Sequence, residues 1–341
     1  MTEFAAALIA WHRRHGRHDL PWQQSRDPYR VWLSEIMLQQ TRVATVIPYY
    51  LRFLERFPAL DALARAEDEE VMVLWSGLGY YARARNLHAC ARAVMARHGG
   101  VFPRDPTVIA GLPGIGRSTA NAIATFCFGA RAPIVDGNVK RVFARCFGIE
   151  GFPGAPAVER EMWALADTLM PARHGDAYIQ AQMDLGATIC TRGKPGCDAC
   201  PVAAACIARR DGRQAELPFP RPRKAMPERE AIILVLEHRG RILLEQRPPS
   251  GIWGGLLSLP ELPAGTDAGE HAQRTLGCDS GDWEELPGLV HAFTHFRLHL
   301  TPLRTRAKPR PGVREDGLRW VAKEALTAMP LPAPIRRLLA A

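Results

Sequence analysis

Leu112-Pro113-Gly114-Ile115-Gly116-Arg117-Ser118-Thr119-Ala120 is the stretch on which the fold turns. It reads as a glycine-rich turn opening onto a helix, and the short helical segment before it, Thr107 to Ala110, makes the unit a helix, a tight turn and a second helix. Such a turn points backbone N–H groups and the positive end of a helix dipole at one spot, which suits a phosphate and reads no sequence. A GxG turn taken alone is a common feature, so its meaning depends on what surrounds it.

Outward from this point the pattern is helical. Between Tyr29 and about Ile207, apolar residues return at intervals of three and four. Tyr80 to His98 is one segment, closed by Gly99 and Gly100; Ala157 to Met170 and Asp176 to Cys190 are others. From 213 to 227 the chain runs RQAELPFPRPRKAMP, a basic stretch with four prolines that reads as a linker. Beyond it the texture changes to β-rich runs: AIILVLEH and RILLEQR form a hairpin turning at Arg239-Gly240, and HFRLHLTPLRT alternates in the same way. The expected fold class is therefore multidomain, an all-α region followed by an α+β domain.

Composition narrows the classes. The 341 residues suit two domains, each able to bury a core. No apolar run approaches the roughly 20 residues of a spanning helix, and the N-terminal charges follow the short apolar stretch, the reverse of a secretory signal. A cytoplasmic monomer is expected, in which eight cysteines are not a disulfide framework. The net charge of +9, shared by both halves, fits a polyanionic partner.

Three further motifs carry chemistry. Cys190, Cys197, Cys200 and Cys206 are spaced C-x6-C-x2-C-x5-C, four thiolates within 17 residues. Zinc takes four thiolates too, but its structural sites usually pair two C-x2-C knuckles, and one such knuckle is present. Arg192 and Lys194, between the first two cysteines, are either solvated or available to a phosphate. In Val135-Asp136-Gly137-Asn138-Val139-Lys140-Arg141-Val142, Asp136 stands where an N-cap is expected. In Trp32-Leu33-Ser34-Glu35-Ile36-Met37-Leu38-Gln39-Gln40-Thr41, Glu35 is either an exposed helix carboxylate or a buried one among apolar neighbours, where it would hold its proton near neutrality.

Taken together, LPGIGRSTANAI, VDGNVKRV, WLSEIMLQQT and the cysteine spacing resemble the MutY family of the helix-hairpin-helix, endonuclease III superfamily, strongly from Leu20 to Cys206 and more loosely after Pro227. The resemblance implies a catalytic region over 1–212, in which about 21–134 form a six-helix barrel and 1–20 with 135–212 form a domain holding one 4Fe-4S cluster on the four cysteines. It implies excision of adenine mispaired with 8-oxoguanine, or with guanine, from double-stranded DNA. Glu35 would be the general acid at adenine N7 and the activator of water. Asp136, with Asn138 beside it, would stabilise the cationic sugar. Trp22, Gln23 and Gln180 match the adenine pocket; Gln40 and Tyr80 match positions that wedge into the duplex; Leu112, Gly114, Gly116 and Ser118 belong to the DNA-binding hairpin. Ser118 occupies the place where endonuclease III-type enzymes carry a lysine nucleophile, so a glycosylase without substantial lyase activity is expected, Lys140 being an adventitious amine at most.

The C-terminal stretch LLEQRPPSGIWGGLLSLPE resembles a Nudix-like domain, expected over 228–341. Nudix catalysis needs a helix rich in glutamate to hold magnesium, and GTDAGEHAQRTLGCDSG offers Glu270 and two scattered aspartates. What remains is a recognition surface: Phe293, Thr294 and His295 match the family loop that contacts 8-oxoguanine, and the same residues also read as an ordinary strand end with an inward aromatic. Competing readings are an endonuclease III-like enzyme for oxidised pyrimidines, an electron carrier and a non-cleaving damage binder. Paired carboxylates beside a phosphate-facing turn disfavour the carrier, and Ser118 disfavours the first.

Overall fold

The computed structural model describes residues 1–222, 225–310 and 317–340; residues 223 and 224 of the proline-rich stretch lie outside the described residues. The helices run α1 (Glu3–His15), α2 (Pro28–Leu38), α3 (Val43–Arg56), α4 (Leu60–Arg65), α5 (Asp68–Trp75), α6 (Ala82–His98), α7 (Pro106–Ala110), α8 (Arg117–Phe128), α9 (Gly137–Phe147), α10 (Pro156–Leu169), α11 (Gly175–Asp184) and α12 (Ile207–Arg210). Their ends follow the punctuation in the sequence. Asp27 caps α2 through the Tyr29 amide, with Pro28 in the first turn, and Gly129 and Gly148 close α8 and α9 in the left-handed conformation. Asp176 to Cys190, expected as one helix, is α11 continued by a π-turn over Leu185–Ile189.

Contacts gather the chain into two compact units, Met1–Arg65 with Asn86–Arg223, and Ala66–Arg85 with Lys224–Ala341. Within the span 21–134 expected as a six-helix barrel, the segment carrying α5 and Tyr80 gathers with the C-terminal unit. Its contacts there include the pairs Arg319–Glu69, Arg336–Ser76 and Arg85–Gly254, whose partners lie far apart in the chain and leave no mark on periodicity. The proline-rich stretch also begins later than composition suggests. Arg145 Nε donates to the Leu217 carbonyl at 2.8 Å, and Leu217 is buried, so the stretch as far as Leu217 belongs to the helical unit.

One core of the helical unit joins α1, α9, α10 and α11 through Leu8, Val139, Phe143, Met162 and Tyr178. In the other unit the strands are β1 (Glu228–His238), β2 (Arg241–Gln246), β3 (Leu257–Ser258), β4 (Glu261–Leu262), β5 (Cys278–Ser280), β6 (Glu284–Glu285), β7 (Leu289–Ala292), β8 (Arg297–Pro309) and β9 (Leu318–Ala322). β1 and β2 form the expected hairpin, His238 opposite Arg241, with Arg239 and Gly240 both at positive φ (46° and 74°) as a two-residue primed turn requires. β1 pairs in parallel with β8 over ten residues, which makes the sheet mixed. Two apolar clusters form, one including Ile233, Leu244 and Leu298, the other Leu234, Leu243 and Ala272 of α13 (Ala268–Arg274); α14 (Ala333–Ala340) closes the first with Ile335. The acids of the Nudix stretch are all engaged: Glu270 pairs with Arg274 at 2.6 Å, Asp267 caps α13, and Asp279 pairs with Arg310 at 2.8 Å.

Candidate active site

Glu35 has little freedom in where it points. On α2 its neighbours Trp32, Leu33, Ile36 and Met37 are buried in the core, each worth roughly 1.5–3 kcal/mol of burial, and together they outweigh the cost of desolvating one carboxyl. Glu35 is left on the side of α2 that lines a cleft of about 1370 Å³, and Asp136 lines the same cleft. Burial first, and the nearby Asp136 charge second, push the Glu35 carboxyl up to about 8. It therefore holds a proton at neutral pH.

Asp136 is in a different setting. It is the N-cap of α9, accepting from the Val139 amide at 2.7 Å and from Asn138 Nδ2 at 3.3 Å. Burial is the largest influence and raises its pKa overall, while these hydrogen bonds and the Arg141 charge partly offset that rise in favour of the carboxylate. The capping and the cleft-facing roles of Asp136 coexist, since one oxygen serves the helix end and the side chain still borders the cleft. Arg141, which sequence reading passed over, binds Asn138 Oδ1 at 2.9 Å, the Gly186 carbonyl at 2.6 Å and the Cys190 carbonyl at 2.7 Å. One guanidinium thus spans the neighbour of Asp136 and the first residue of the cysteine quartet.

Trp22, Gln23, Gln40, Ser118, Asn138, Gln180 and Arg192 line this cleft as well. Trp22 meets Tyr50 edge to face at 5.4 Å. Gln23 accepts from the Leu20 amide at 3.2 Å. Gln180 donates to Asp184 at 3.0 Å, and Asp184, almost wholly buried, is held by Arg17 at 2.6 Å. Arg17 and Asp184 are functional-looking residues not anticipated from the sequence; the readable sign was one acid on the otherwise uncharged run AYIQAQMDLGATI. Lys140 is turned to Glu159 at 2.7 Å.

The hairpin residues divide. Gly114 sits at φ +73°, and a Cβ there would come within 2.5 Å of the Asn86 Cβ, so no other residue fits. Gly116 caps α8 with open space where a side chain would be, which leaves the amide end of the helix approachable. Leu112 is buried, with its amide bonded to the Ile109 carbonyl at 3.1 Å. Its side chain seats the hairpin. Gln40 (φ 57°) and Tyr80 (φ 51°) both hold a left-handed backbone that side chains disfavour, and both are exposed.

Cys190, Cys197, Cys200 and Cys206 line one small cavity together with Leu185 and Ile189. Arg145 closes it, with NH1 3.5 Å from Cys190 Sγ and 2.7 Å from the Thr191 carbonyl. Among the described residues no three His, Cys, Asp or Glu side chains converge tightly enough for a single metal ion.

On the C-terminal unit, Phe293 stacks on Phe296 at 4.5 Å and 19°, and the Phe293 amide donates to the Phe296 carbonyl at 2.9 Å. That tight link leaves Thr294 and His295 exposed at the tip between β7 and β8.

A glycine hairpin leading by one helix to a helix-capping aspartate, which lines the same cleft as a buried carboxylic acid, is the arrangement of a helix-hairpin-helix DNA glycosylase. Residues 33–167 match the HhH-GPD superfamily of base excision DNA repair proteins, and 231–341 match the NUDIX domain. The chain is 35% identical over 89% of its length to the adenine DNA glycosylase of Buchnera aphidicola subsp. Acyrthosiphon pisum (strain APS), covering 86% of that protein. It is 36% identical over 95% of its length to that of Homo sapiens, covering 71% of it. A solved thermostable thymine-DNA glycosylase superposes with a TM-score of 0.56 at 30% identity, over 61% of this chain and 95% of that one. The chain belongs to the adenine DNA glycosylase family.

Proposed function

We propose that the protein removes adenine mispaired with 8-oxoguanine, or with guanine, by hydrolysing the N-glycosidic bond of an extruded nucleotide. The observation that carries this is the pairing of Glu35 with Asp136 on one cleft, the first protonated at neutral pH and the second hydrogen-bonded at a helix N-terminus. Cleaving C1′–N9 sends the bonding pair to the base and leaves positive charge on the sugar, so a proton donor and an anion are needed together. Glu35 gives its proton to adenine N7, and the Asp136 carboxylate stabilises the cationic C1′. Water then adds at C1′ and its proton returns to Glu35. Asn138 holds Asp136 in place.

Trp22, Gln23 and Gln180 are assigned to the base pocket, Gln40 and Tyr80 to filling the gap left in the duplex, and Gly114, Gly116 and Ser118 to seating the strand backbone. Phe293, Thr294 and His295 read the base opposite, with Thr294 and His295 as the hydrogen-bonding pair. The catalytic unit and the Nudix-like unit are proposed as the division between chemistry and recognition.

The four cysteines are assigned to one 4Fe-4S cluster. Four thiols border one cavity, and their spacing holds one C-x2-C knuckle rather than the two usual in structural zinc sites, which supports a polynuclear centre over a single zinc. When bound, the cluster supplies covalent bracing of the loop from Cys190 to Cys206.

Single-turnover base release from duplexes holding A opposite 8-oxoguanine, G, C or T tests the reading, with thymine glycol as the rival substrate. Fastest release is expected for A opposite 8-oxoguanine, and release of thymine glycol in its place would overturn the assignment.

A further inference from the structure

The segment Ala66–Arg85 gathers with the C-terminal unit, and three arginines contribute to the join. Arg319 NH1 reaches both carboxylate oxygens of Glu69, at 2.8 and 2.9 Å. Arg336 holds the carbonyls of Thr327 and Met329 at 2.7 and 2.9 Å, and donates to Ser76 Oγ at 2.9 Å. Arg85 donates to the Gly254 carbonyl, and the next residue, Gly255 at φ +75°, lies so close that a Cβ would sit 3.5 Å from Arg85 Cδ and 3.9 Å from Met72 Cε. These contacts fall on α5, on the turn after it and on the first turn of α6.

That turn ends in Tyr80. Gly77 and Gly79 are at positive φ, and Tyr80 follows at φ 51°, 47% exposed. Trp75 Nε1 and Arg83 NH2 both donate to the Gly79 carbonyl at 3.2 Å, and the Arg83 guanidinium lies 5.5 Å from the Tyr80 ring. An exposed aromatic on a disfavoured backbone stays there only while its surroundings hold it.

We infer that Arg319 and Glu69 are positioning residues for recognition: with Arg336 and Arg85 they fasten the Tyr80 turn to the unit bearing Phe293, Thr294 and His295, so one body presents both the aromatic wedge and the reader of the opposite base. The inference rests on the roles proposed above for Tyr80 and for the loop 293–295. Glu35, Asp136 and the hairpin belong to the other unit. Loosening the fastening therefore lowers discrimination between opposite bases and leaves bond cleavage alone.

The test uses the full chain with Glu69→Arg, Arg319→Glu and the double exchange, measuring single-turnover adenine release opposite 8-oxoguanine and opposite guanine. Because the pair is exposed, each single reversal is expected to lower the ratio of the two rates by about threefold to fivefold, with the rate opposite guanine little changed. The double exchange is expected to restore the ratio, which a general loss of folding would not allow. Unchanged ratios in the single variants, equal losses on both duplexes, or a double exchange no better than the single ones would each overturn the inference. Tyr80→Ala run in parallel separates the two layers. A ratio that falls in Arg319→Glu and not in Tyr80→Ala keeps the fastening and removes the role given to Tyr80; the reverse removes the fastening.

Discussion

The backbone N–H of Val135 donates to the hydroxyl of Ser118 at 3.2 Å, stitching the first turn of α8 to the residue before Asp136. A serine at this place braces the segment leading to Asp136, and it has no amine to offer a sugar carbon. Lys140, on the neighbouring helix, is occupied by Glu159. Wild-type protein is therefore expected to give no stable, stoichiometric DNA adduct when borohydride is added during turnover. Ser118→Lys places an amine on the cleft wall and is expected to gain both the trapped adduct and strand cleavage, at some cost to adenine release. Stoichiometric trapping of the wild type would contradict the assignment.

The pH dependence follows from Glu35. Its ordinary value is 4.5 and its value in the cleft is about 8, so the folded state binds the extra proton between those limits. Excision is expected to hold through neutrality and to fall about tenfold per unit above pH 8, as the acid is lost. Stability runs the same way: the unfolded chain binds fewer protons in this window, so unfolding free energy declines as pH rises from about 4.5 to about 8. Glu35→Gln removes the ionisation. Its Tm at pH 8 to 9 should exceed that of wild type, while excision drops by about 10²–10⁴-fold. Parallel Tm-versus-pH curves for the two proteins would show that Glu35 is not the buried acid.

Much of this site could be read from residues, and the limits have physical causes. The hairpin, the cap at Asp136 and the cysteine quartet are local: each is set by neighbours within a turn or two, so sequence carries them directly. The role of Glu35 was legible because its apolar neighbours fix which way α2 faces. Arg141, Asp184 and Arg17 were not, because their partners lie 3, 45, 49 and 167 residues away and a lone charged residue in a helix has no signature of its target. Leu112 shows the opposite limit: the motif is recognised as a whole, but only packing tells which of its residues is buried beneath the turn. Residues 66–85 gather with the C-terminal unit, and the contacts of Arg85, Arg319 and Arg336 there join residues 169 to 260 positions apart, which no period reveals.

Gly186 gives a steric test of Asn138. It lies in the π-turn after α11, and a Cβ there would come 2.5 Å from the Asn138 Cβ and 3.1 Å from its Cα. Neither atom can yield without moving the start of α9. Gly186→Ala is expected to cost about 1–3 kcal/mol of stability, to displace Asn138 from Asp136 and Arg141, and to slow excision by at least about tenfold. Denaturant unfolding and single-turnover rates read the two effects separately, and a variant with wild-type rates would show that Asn138 has no part in holding Asp136.

Metal content distinguishes the two centres that four thiolates can build. About four irons and about four acid-labile sulfides per chain are expected from purified protein, with no stoichiometric zinc. Cys200→Ser is expected to lose iron and to leave the loop from Cys190 to Cys206 open to protease, since that stretch is mostly turns and short helical pieces with little core of its own. One zinc per chain would replace the cluster assignment.

The last prediction concerns how the opposite base is read. Phe293 and Phe296 stack and share a backbone hydrogen bond, which fixes the turn independently of the two polar side chains at its tip. Thr294 Oγ1 and His295 Nδ1 are 3.4 Å apart, both exposed, a spacing at which two groups can address adjacent atoms of one base edge. Thr294→Ala and His295→Ala should therefore keep the turn and lose only its contacts. A hydrogen bond to a base is worth about 0.5–1.5 kcal/mol, up to roughly tenfold, so each substitution is expected to lower the preference for A opposite 8-oxoguanine over A opposite C by about that factor. Release from the A:C duplex should change little, because Glu35 and Asp136 belong to the other unit. Phe293→Ala, which breaks the stack, should instead lower both Tm and preference. If the Thr294 and His295 variants slow both duplexes alike, the tip contributes to general DNA affinity and the reading of the opposite base lies elsewhere.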